Sequence, residues 1–492
     1  MFFVFLFALT AFLFRNAFTT YFFNDDFFFL KIARINSFHQ FINFFSPVRQ
    51  YSYKPISTEV FYFLIHLFND NIFVAHLVGF LVYFIGVYYL FKIIFHLSDD
   101  KFLSYLATGF FAINFTHVFQ LYYLGTMQEV FLFTFLSLTF FNFLKGKKLL
   151  SIIFFVLALL SKETAVLFVP FLIVFLLIRH SGEERSDDSR IVVRFWTRSL
   201  RSLARMTPYL ILGLIFTLIY QYSLKYVTAL DNYKISFNPR LAINNLIWYF
   251  LWSLGVPNFT SLYFTSIFKP PIAEFWKMFK NFPEIKIYYL LLISYYLLFI
   301  ISISYYLLKN KKKLFELVNW YLLVGLVGFF IFLGPILFFE HRWMVRLTIP
   351  LIFVVLIQSF LILYLIKAGK IFRLFGFILI SLYIVLQILG ISIHESSSTF
   401  LLESRFTKNA KKYLETHKKE IAKYKYIYFI DKTKIVPIPW GGSEKLKVTL
   451  GDQNFIDFYF PGSSLKAIYG FEDKTIPKDA YIVNSFDILL PN

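Results

Sequence analysis

Runs of about twenty consecutive apolar residues recur along this chain, and no other feature limits its fold so strongly. A helix must approach that length to cross the hydrocarbon of a bilayer. Inside lipid, every backbone amide must find its partner within the protein. Such runs fall near 2–19, 72–95, 102–119, 127–144, 149–161, 164–179, 207–224, 286–308, 314–338, 344–366 and 374–393. Composition points the same way: 58% of the 492 residues are hydrophobic, 16% are charged, and Phe occurs 70 times. A soluble domain carries roughly 25% charged residues, so these counts exclude an ordinary soluble enzyme, and a disordered chain as well. The fold class read from them is an all-α polytopic membrane protein of about 11–13 transmembrane helices. The stretch 241–268 is apolar but holds Pro257 and Asn258. It reads as re-entrant, interfacial, or one or two further spans.

Charge sets the orientation. The net charge is 49 − 29 = +20, which in a soluble protein would point to nucleic acid. Here the basic residues sit in short clusters between apolar runs, so no nucleic-acid partner is expected. Lys145, Lys147 and Lys148 form one cluster, Arg179 through Arg205 a second, Lys309 and Lys311 through Lys313 a third, and Lys367, Lys370 and Arg373 a fourth. Cytoplasmic loops are the ones enriched in Lys and Arg. That rule puts all four inside, including the basic loop 180–206, and puts the first long loop, 20–71, outside an inner cell membrane. Residues 1–395 then form the transmembrane domain, and 396–492 a small extracytoplasmic α/β domain. This tail holds 15 Lys/Arg and 11 Asp/Glu. Its patterning predicts an amphipathic helix over 399–421 and strands over 424–430 and 480–484. With no cysteine in the chain, disulfides and Cys-ligated metals are excluded.

Polar residues at the membrane boundary need a reason. Asn24-Asp25-Asp26 follows the first span directly. Two neighbouring carboxylates that are partly buried raise one another's pKa, which suits a general base; a solvated helix end is the plainer explanation. Tyr53-Lys54-Pro55-Ile56-Ser57-Thr58-Glu59 closes the same loop, and its Lys54 can meet a phosphate or a headgroup. Gln128-Glu129 opens the fourth span, where an acid also suits a helix N-terminus. Ser161-Lys162-Glu163-Thr164 interrupts a long apolar stretch, either as a turn with a local ion pair or as a site. Glu340-His341-Arg342-Trp343-Met344-Val345-Arg346 lies between two late spans, where an Arg offers a planar fork for phosphate oxygens. Lone His66 and His76 read as packing residues, and no spacing resembles a zinc site. All the charged motifs map to the outer side, so a base and a cationic clamp would share one mouth.

The order of these motifs resembles the GT-C superfamily of membrane glycosyltransferases. It is most similar to the branch of protein O-mannosyltransferases and lipid A aminoarabinose transferases, and to the related O-mannosyltransferases that carry tetratricopeptide repeats. The resemblance rests on Asn24-Asp25-Asp26, Tyr53-Lys54-Pro55-Ile56, Phe68-Asn69-Asp70-Asn71 through His76, Ser161-Lys162-Glu163-Thr164-Ala165-Val166 and Glu340-His341-Arg342-Trp343. It covers roughly residues 1–180 and 310–366; no such repeats follow the last span. The resemblance implies transfer of a sugar, with inversion, from a polyprenyl-phosphate donor to a protein, lipid or glycan acceptor on the outer face. Asp25 would be the base and Asp26 its orienting neighbour. Lys54, Lys162 and Arg342 would bind the donor phosphate, and Glu129, Glu163 and His341 could contact substrate. Lys54 stands where the family often has Arg, which weakens bidentate phosphate binding there. No cofactor or metal is expected, although an acidic pair could hold a divalent ion. A transporter or lipid flippase with an acidic ion or proton site is the alternative.

Overall fold

The structure is a computed structural model and describes residues 1–183, 190–227, 235–264, 266–309, 320–397, 399–432 and 442–490. Among the described residues, seven helices are long and apolar enough to cross a membrane: Ile72–Ser98, Leu124–Leu144, Met206–Leu224, Pro283–Lys309, Tyr321–Phe338, Met344–Lys367 and Lys370–Ser397. An eighth is counted if Lys101–Ala112 and Phe115–Tyr122, bent by 42° at their junction, form one span. The remaining runs read as spans are helical but short. Phe2–Leu13 and Lys148–Leu159 have 12 residues each and Phe168–Glu183 has 16. At 1.5 Å per residue, a 12-residue helix reaches only about 18 Å.

The spans are apolar all round, and lipid explains why. Pro283–Lys309 buries only Ile285, Tyr288, Leu292, Tyr295, Ser302 and Tyr306, yet its outward side is Ile287, Leu290, Ile293, Leu297, Ile300 and Ile301. Helices in lipid attract one another through close packing rather than through the hydrophobic effect, so small residues matter at their contacts. Gly79 and Gly86 lie on the buried face of Ile72–Ser98. A Cβ on Gly86 would lie 2.5 Å from Phe133 and 2.7 Å from the Thr134 hydroxyl. Asn71 caps this helix by accepting from the Val74 amide at 3.2 Å.

The bundle has two distinct ends. At one, Lys367 bonds Asp100 at 2.6 Å and Lys145 approaches His96 at 3.4 Å. The motifs of the first long loop, the Ser161–Thr164 turn and the segment 340–346 gather at the other end. The stretch 241–268 contributes a 15-residue helix, Pro239–Ser253, followed by a 3₁₀ turn at Asn258–Tyr263. The helix packs at the motif end, where Asn245 donates to the Leu337 and Phe339 carbonyls at 2.8 and 2.9 Å. Part of the basic stretch read as the loop 180–206 is helical, because helix Arg190–Leu224 begins inside it; residues 184–189 lie outside the described residues. The Lys311–Lys313 cluster also lies outside them.

The C-terminal residues build a small α/β unit at the motif end. A helix spans Thr399–Ile421. Three parallel strands, β1 (Tyr426–Ile430), β2 (Lys466–Tyr469) and β3 (Ala480–Asn484), lie in the order β2-β1-β3, with Tyr426 opposite both Lys466 and Ala480. Parallel neighbours need crossover connections, and helix Gly442–Leu450 serves the first of them. The sheet and its helices share a core of Ile427, Phe429, Leu446, Leu450, Phe455 and Val483. A buried Lys445–Glu403 ion pair ties Gly442–Leu450 to Thr399–Ile421. Replacing Gly86 by Val should destabilise the bundle by about 1–3 kcal/mol through overpacking against Phe133. Replacing Gly109, which among the described residues has nothing within 4 Å of its Cβ position, by Ala should not. Thermal unfolding of both variants in detergent checks the contrast.

Candidate functional site

The acidic motif opens a short helix. Asp25 and Asp26 occupy the first turn of Asp25–Ile32, where the helix dipole favours negative charge. Asn24 precedes them with φ 54° and ψ −125°. A side chain in that conformation costs about 1–3 kcal/mol and persists only where surrounding structure holds it. The two carboxylates have different surroundings. Asp26 is 1% exposed. One of its oxygens accepts from the Tyr62 hydroxyl at 2.5 Å and the other from the Phe23 amide at 3.0 Å. Burial pushes Asp26 up to about 7, against the hydrogen bonds from Tyr62, Phe23 and Gly125 and with the help of the Asp25 charge. Asp25 reaches solvent and is yet enclosed by neighbouring protein, so it lines a concave surface. That enclosure raises its carboxyl too, opposed by a hydrogen bond from Tyr123. The Asp25 amide donates to the Tyr123 hydroxyl at 3.2 Å.

Next to the acidic helix lies a small cavity lined by Lys54, Gln128, Glu129, Lys162, Glu163, Thr164, Ile336, Phe339, Trp343, Val345 and Arg346. Trp343 links the two features, its ring 6.4 Å from that of Tyr123. The ion pairs inside differ from the local pair that the turn at Ser161–Thr164 suggests. Lys162 has extended backbone, φ −162° and ψ 138°, which sends neighbouring side chains to opposite sides. Lys162 therefore pairs with Glu129 across the bundle, while Glu163 meets Lys54 at 3.4 Å. Burial opposes ionisation of Glu163, but the Lys54 and Lys162 ammonium groups outweigh it and hold its carboxyl below the ordinary value.

Arg342 and His341 do not line this cavity. The Arg342 guanidinium lies over Trp248 at 5.8 Å, and among the described residues its buried Nη1 has no hydrogen-bond partner. His341 is exposed and offers its carbonyl to the Arg346 guanidinium at 2.7 Å. The cation from this segment that faces the cavity is Arg346, one helical turn beyond Arg342; it packs over Phe339 at 4.9 Å. Counting formal charges around the cavity, three cations against two carboxylates leave a surplus of +1. His66 and His76 act as packing residues: His76 is buried between the Thr20 and Leu121 carbonyls, and His66 contacts Asp70 and the Leu30 carbonyl. Among the described residues no three His, Asp or Glu side chains converge as metal ligands would.

A second cavity lies about one helical turn from the charged one. Its wall includes Phe133, Phe168, Phe332 and Ile349. Each is four residues from a residue lining the charged cavity, namely Glu129, Thr164, Ile336 and Val345. Four residues make about one helical turn, or 6 Å. The lining is apolar apart from Ser137 and Tyr321. Charged mouth and greasy shaft are thus stacked on the same chain segments.

The loop that carries Lys54 is braced internally. Arg49 forms a buried ion pair with Glu59, donates to the Ser46 carbonyl at 2.9 Å, and stacks over Tyr51 and Tyr53 at 5.0 and 4.9 Å. Sequence reasoning did not single out Arg49, Tyr62, Tyr123 or the role of Arg346. Of these only Arg346 stood inside a quoted motif; Tyr62 and Tyr123 sit in short apolar stretches, 61–65 and 121–124, with no polar signal. No protein-family model matches the chain, and no curated protein matches it.

Because Asp26 is raised in the folded state, its contribution to stability is fully present below about pH 4 and is lost as pH rises through about 7. Asp26→Asn removes that titration. The melting temperature of the Asn variant should therefore gain on the native protein between pH 5 and 8, measured by thermal unfolding in detergent. Parallel pH curves for the two proteins would show that Asp26 is already ionised in the fold.

Proposed function

We propose that this chain is an inverting membrane glycosyltransferase of GT-C-like architecture. It would take a sugar from a polyprenyl-phosphate donor and pass it to a protein, lipid or glycan acceptor at the extracytoplasmic face of the cell membrane. One observation carries the reading: a charged cavity sits on top of an apolar one, beside a solvent-reaching carboxylate. A ligand matched to that stack has an anionic head and a long apolar tail. A sugar joined to a prenyl chain through a phosphodiester carries one negative charge at its head, which suits the surplus of +1 around the mouth.

In this mechanism Asp25 takes the proton from the acceptor O–H or N–H. The acceptor atom attacks the anomeric carbon from the side opposite the phosphate, and the bond from that carbon to the phosphate oxygen breaks. The phosphate leaves with the electron pair, and Lys54, Lys162 and Arg346 stabilise its added charge. Asp25 suits the base because its carboxylate meets solvent at a concave surface, while both oxygens of Asp26 are occupied. Asp26 is then the group that orients the motif. Arg342 is reassigned from the donor phosphate to the neighbouring Trp248 surface.

The bent pair Lys101–Ala112 and Phe115–Tyr122 favours a second reading, a transporter or flippase, since broken helices line transport paths. Against it, the break is satisfied by side chains of this chain: the Phe115 amide donates to Gln387 at 3.0 Å and Asn114 donates to Tyr383 at 2.9 Å. Movement of a labelled lipid across reconstituted vesicles without covalent change would favour that alternative.

Purified protein incubated with a panel of polyprenyl-phosphate sugars should release polyprenyl phosphate. Asp25→Asn should slow that release by about 10²- to 10⁴-fold, the usual contribution of a general base, with an unchanged melting temperature; release at the native rate would remove Asp25 from the chemistry. Arg346→Ala should weaken donor use. Lys162→Ala should also destabilise the fold by about 3–5 kcal/mol, because Glu129 is left as a buried unpaired charge.

A further inference from the structure

The soluble C-terminal unit touches the acidic motif at its backbone. The Asn24 amide donates to the Thr449 carbonyl at 2.7 Å. Gly451, itself at φ +62°, lies so close that a Cβ there would stand 2.5 Å from the Asn24 carbonyl oxygen. Asn24 is the residue with the strained, glycine-favouring conformation, and its carbonyl accepts from the Phe27 amide at 3.4 Å at the start of the Asp25–Ile32 helix. A ring of contacts seats the unit around this point. The Tyr21 amide donates to the Ser404 hydroxyl at 2.7 Å, the Tyr21 and Tyr459 hydroxyls meet at 2.7 Å, and Lys31 pairs with Asp457 at 2.5 Å. Phe27 packs edge-on against Phe455 at 4.9 Å.

We infer that the C-terminal unit is a working part of the membrane site: its Thr449–Gly451 turn clamps Asn24 in a conformation that the first loop would not hold alone, and so aims Asp25. Thr449, Gly451 and Asn24 are positioning residues that act through the direction of one short helix. The contact is selective for backbone shape. A glycine at 451 is required by the close approach, and the strain at 24 is held by a hydrogen bond that only the docked unit supplies. Docking therefore sets whether the acid is aligned, which makes the soluble unit a point at which activity can be controlled.

This inference rests on the proposed transfer reaction for its rate readout but not for its structural one. Full-length protein in nanodiscs is compared as native, Asn24→Gly and Asn24→Val. Gly adopts φ 54°, ψ −125° freely, whereas β-branched Val does not. Amide exchange over residues 25–32 should stay native in the Gly variant and rise at least roughly tenfold in the Val variant, with helix Ile72–Ser98 unchanged. With a donor that turns over, kcat should fall about a hundredfold in Asn24→Val with little change in donor KM, and be kept in Asn24→Gly. The native chain has no cysteine, so Lys31→Cys with Asp457→Cys, joined by a short bismaleimide, locks the docked state without disturbing Asn24. The locked protein should retain the native rate.

Exchange over 25–32 that is equal in all three proteins overturns the clamp. Raised exchange with an unaltered kcat overturns its positioning role, and loss of turnover on locking overturns the docked state as the competent one. If no polyprenyl-phosphate sugar turns over, the transfer reading fails while the exchange comparison still decides the clamp. Should Asn24→Val fail to fold, the locked protein remains the deciding measurement.

Discussion

A charge inside hydrocarbon is costly, and that cost arranges everything else here. The chain can carry acids and bases only where water or an opposite charge meets them. It does so by collecting its polar motifs at one end of the bundle and pairing the buried ones, Lys162 with Glu129 and Arg49 with Glu59. Such pairs add little net stability, but breaking one strands a charge. They therefore act as fixed supports. Around the cavity they leave a lining of three cations and two carboxylates.

The same constraint separates the two aspartates. Asp26 is buried with both oxygens occupied, so it belongs to the scaffold of the loop. Asp25, one residue earlier, reaches solvent in a concave setting and meets Tyr123. A helix of eight residues is too short to direct itself, since most helical stability in proteins comes from packing. It is held from one side by Tyr62 and Tyr123 of the helix bundle and from the other by Thr449 and Gly451 of the C-terminal unit. Orientation of the acid is thus shared between two parts of the chain more than 300 residues apart in sequence.

Much of the architecture was legible before any coordinates. Apolar runs identify segments, because lipid exposure makes hydrophobicity a direct report of position; periodicity gives the helix at 399–421 and strands at 424–430 and 480–484, the first of which starts two residues later, at Tyr426. Strand β2 was not legible, since Lys466–Tyr469 is only four residues long and begins with an exposed lysine. The length of spans was overread at Phe2–Leu13 and Lys148–Leu159, where apolar residues continue past the point at which the helix ends. Which of Arg342 and Arg346 lines the charged cavity is not legible in the sequence either. Both stand in one short motif, and only the 3₁₀ turn Met344–Leu347 determines which of them points inward.

By itself the sequence determined that the chain is a membrane-embedded bundle with a polar tail, and that its charged motifs share one side; these are properties of single segments and of their transfer between water and lipid. Tertiary structure alone decided which cation pairs with which acid, that a greasy cavity lies about one turn from the charged one, and that the tail reaches back to hold Asn24. Those facts depend on distances between residues far apart along the chain, and no local pattern of hydrophobicity or charge encodes them.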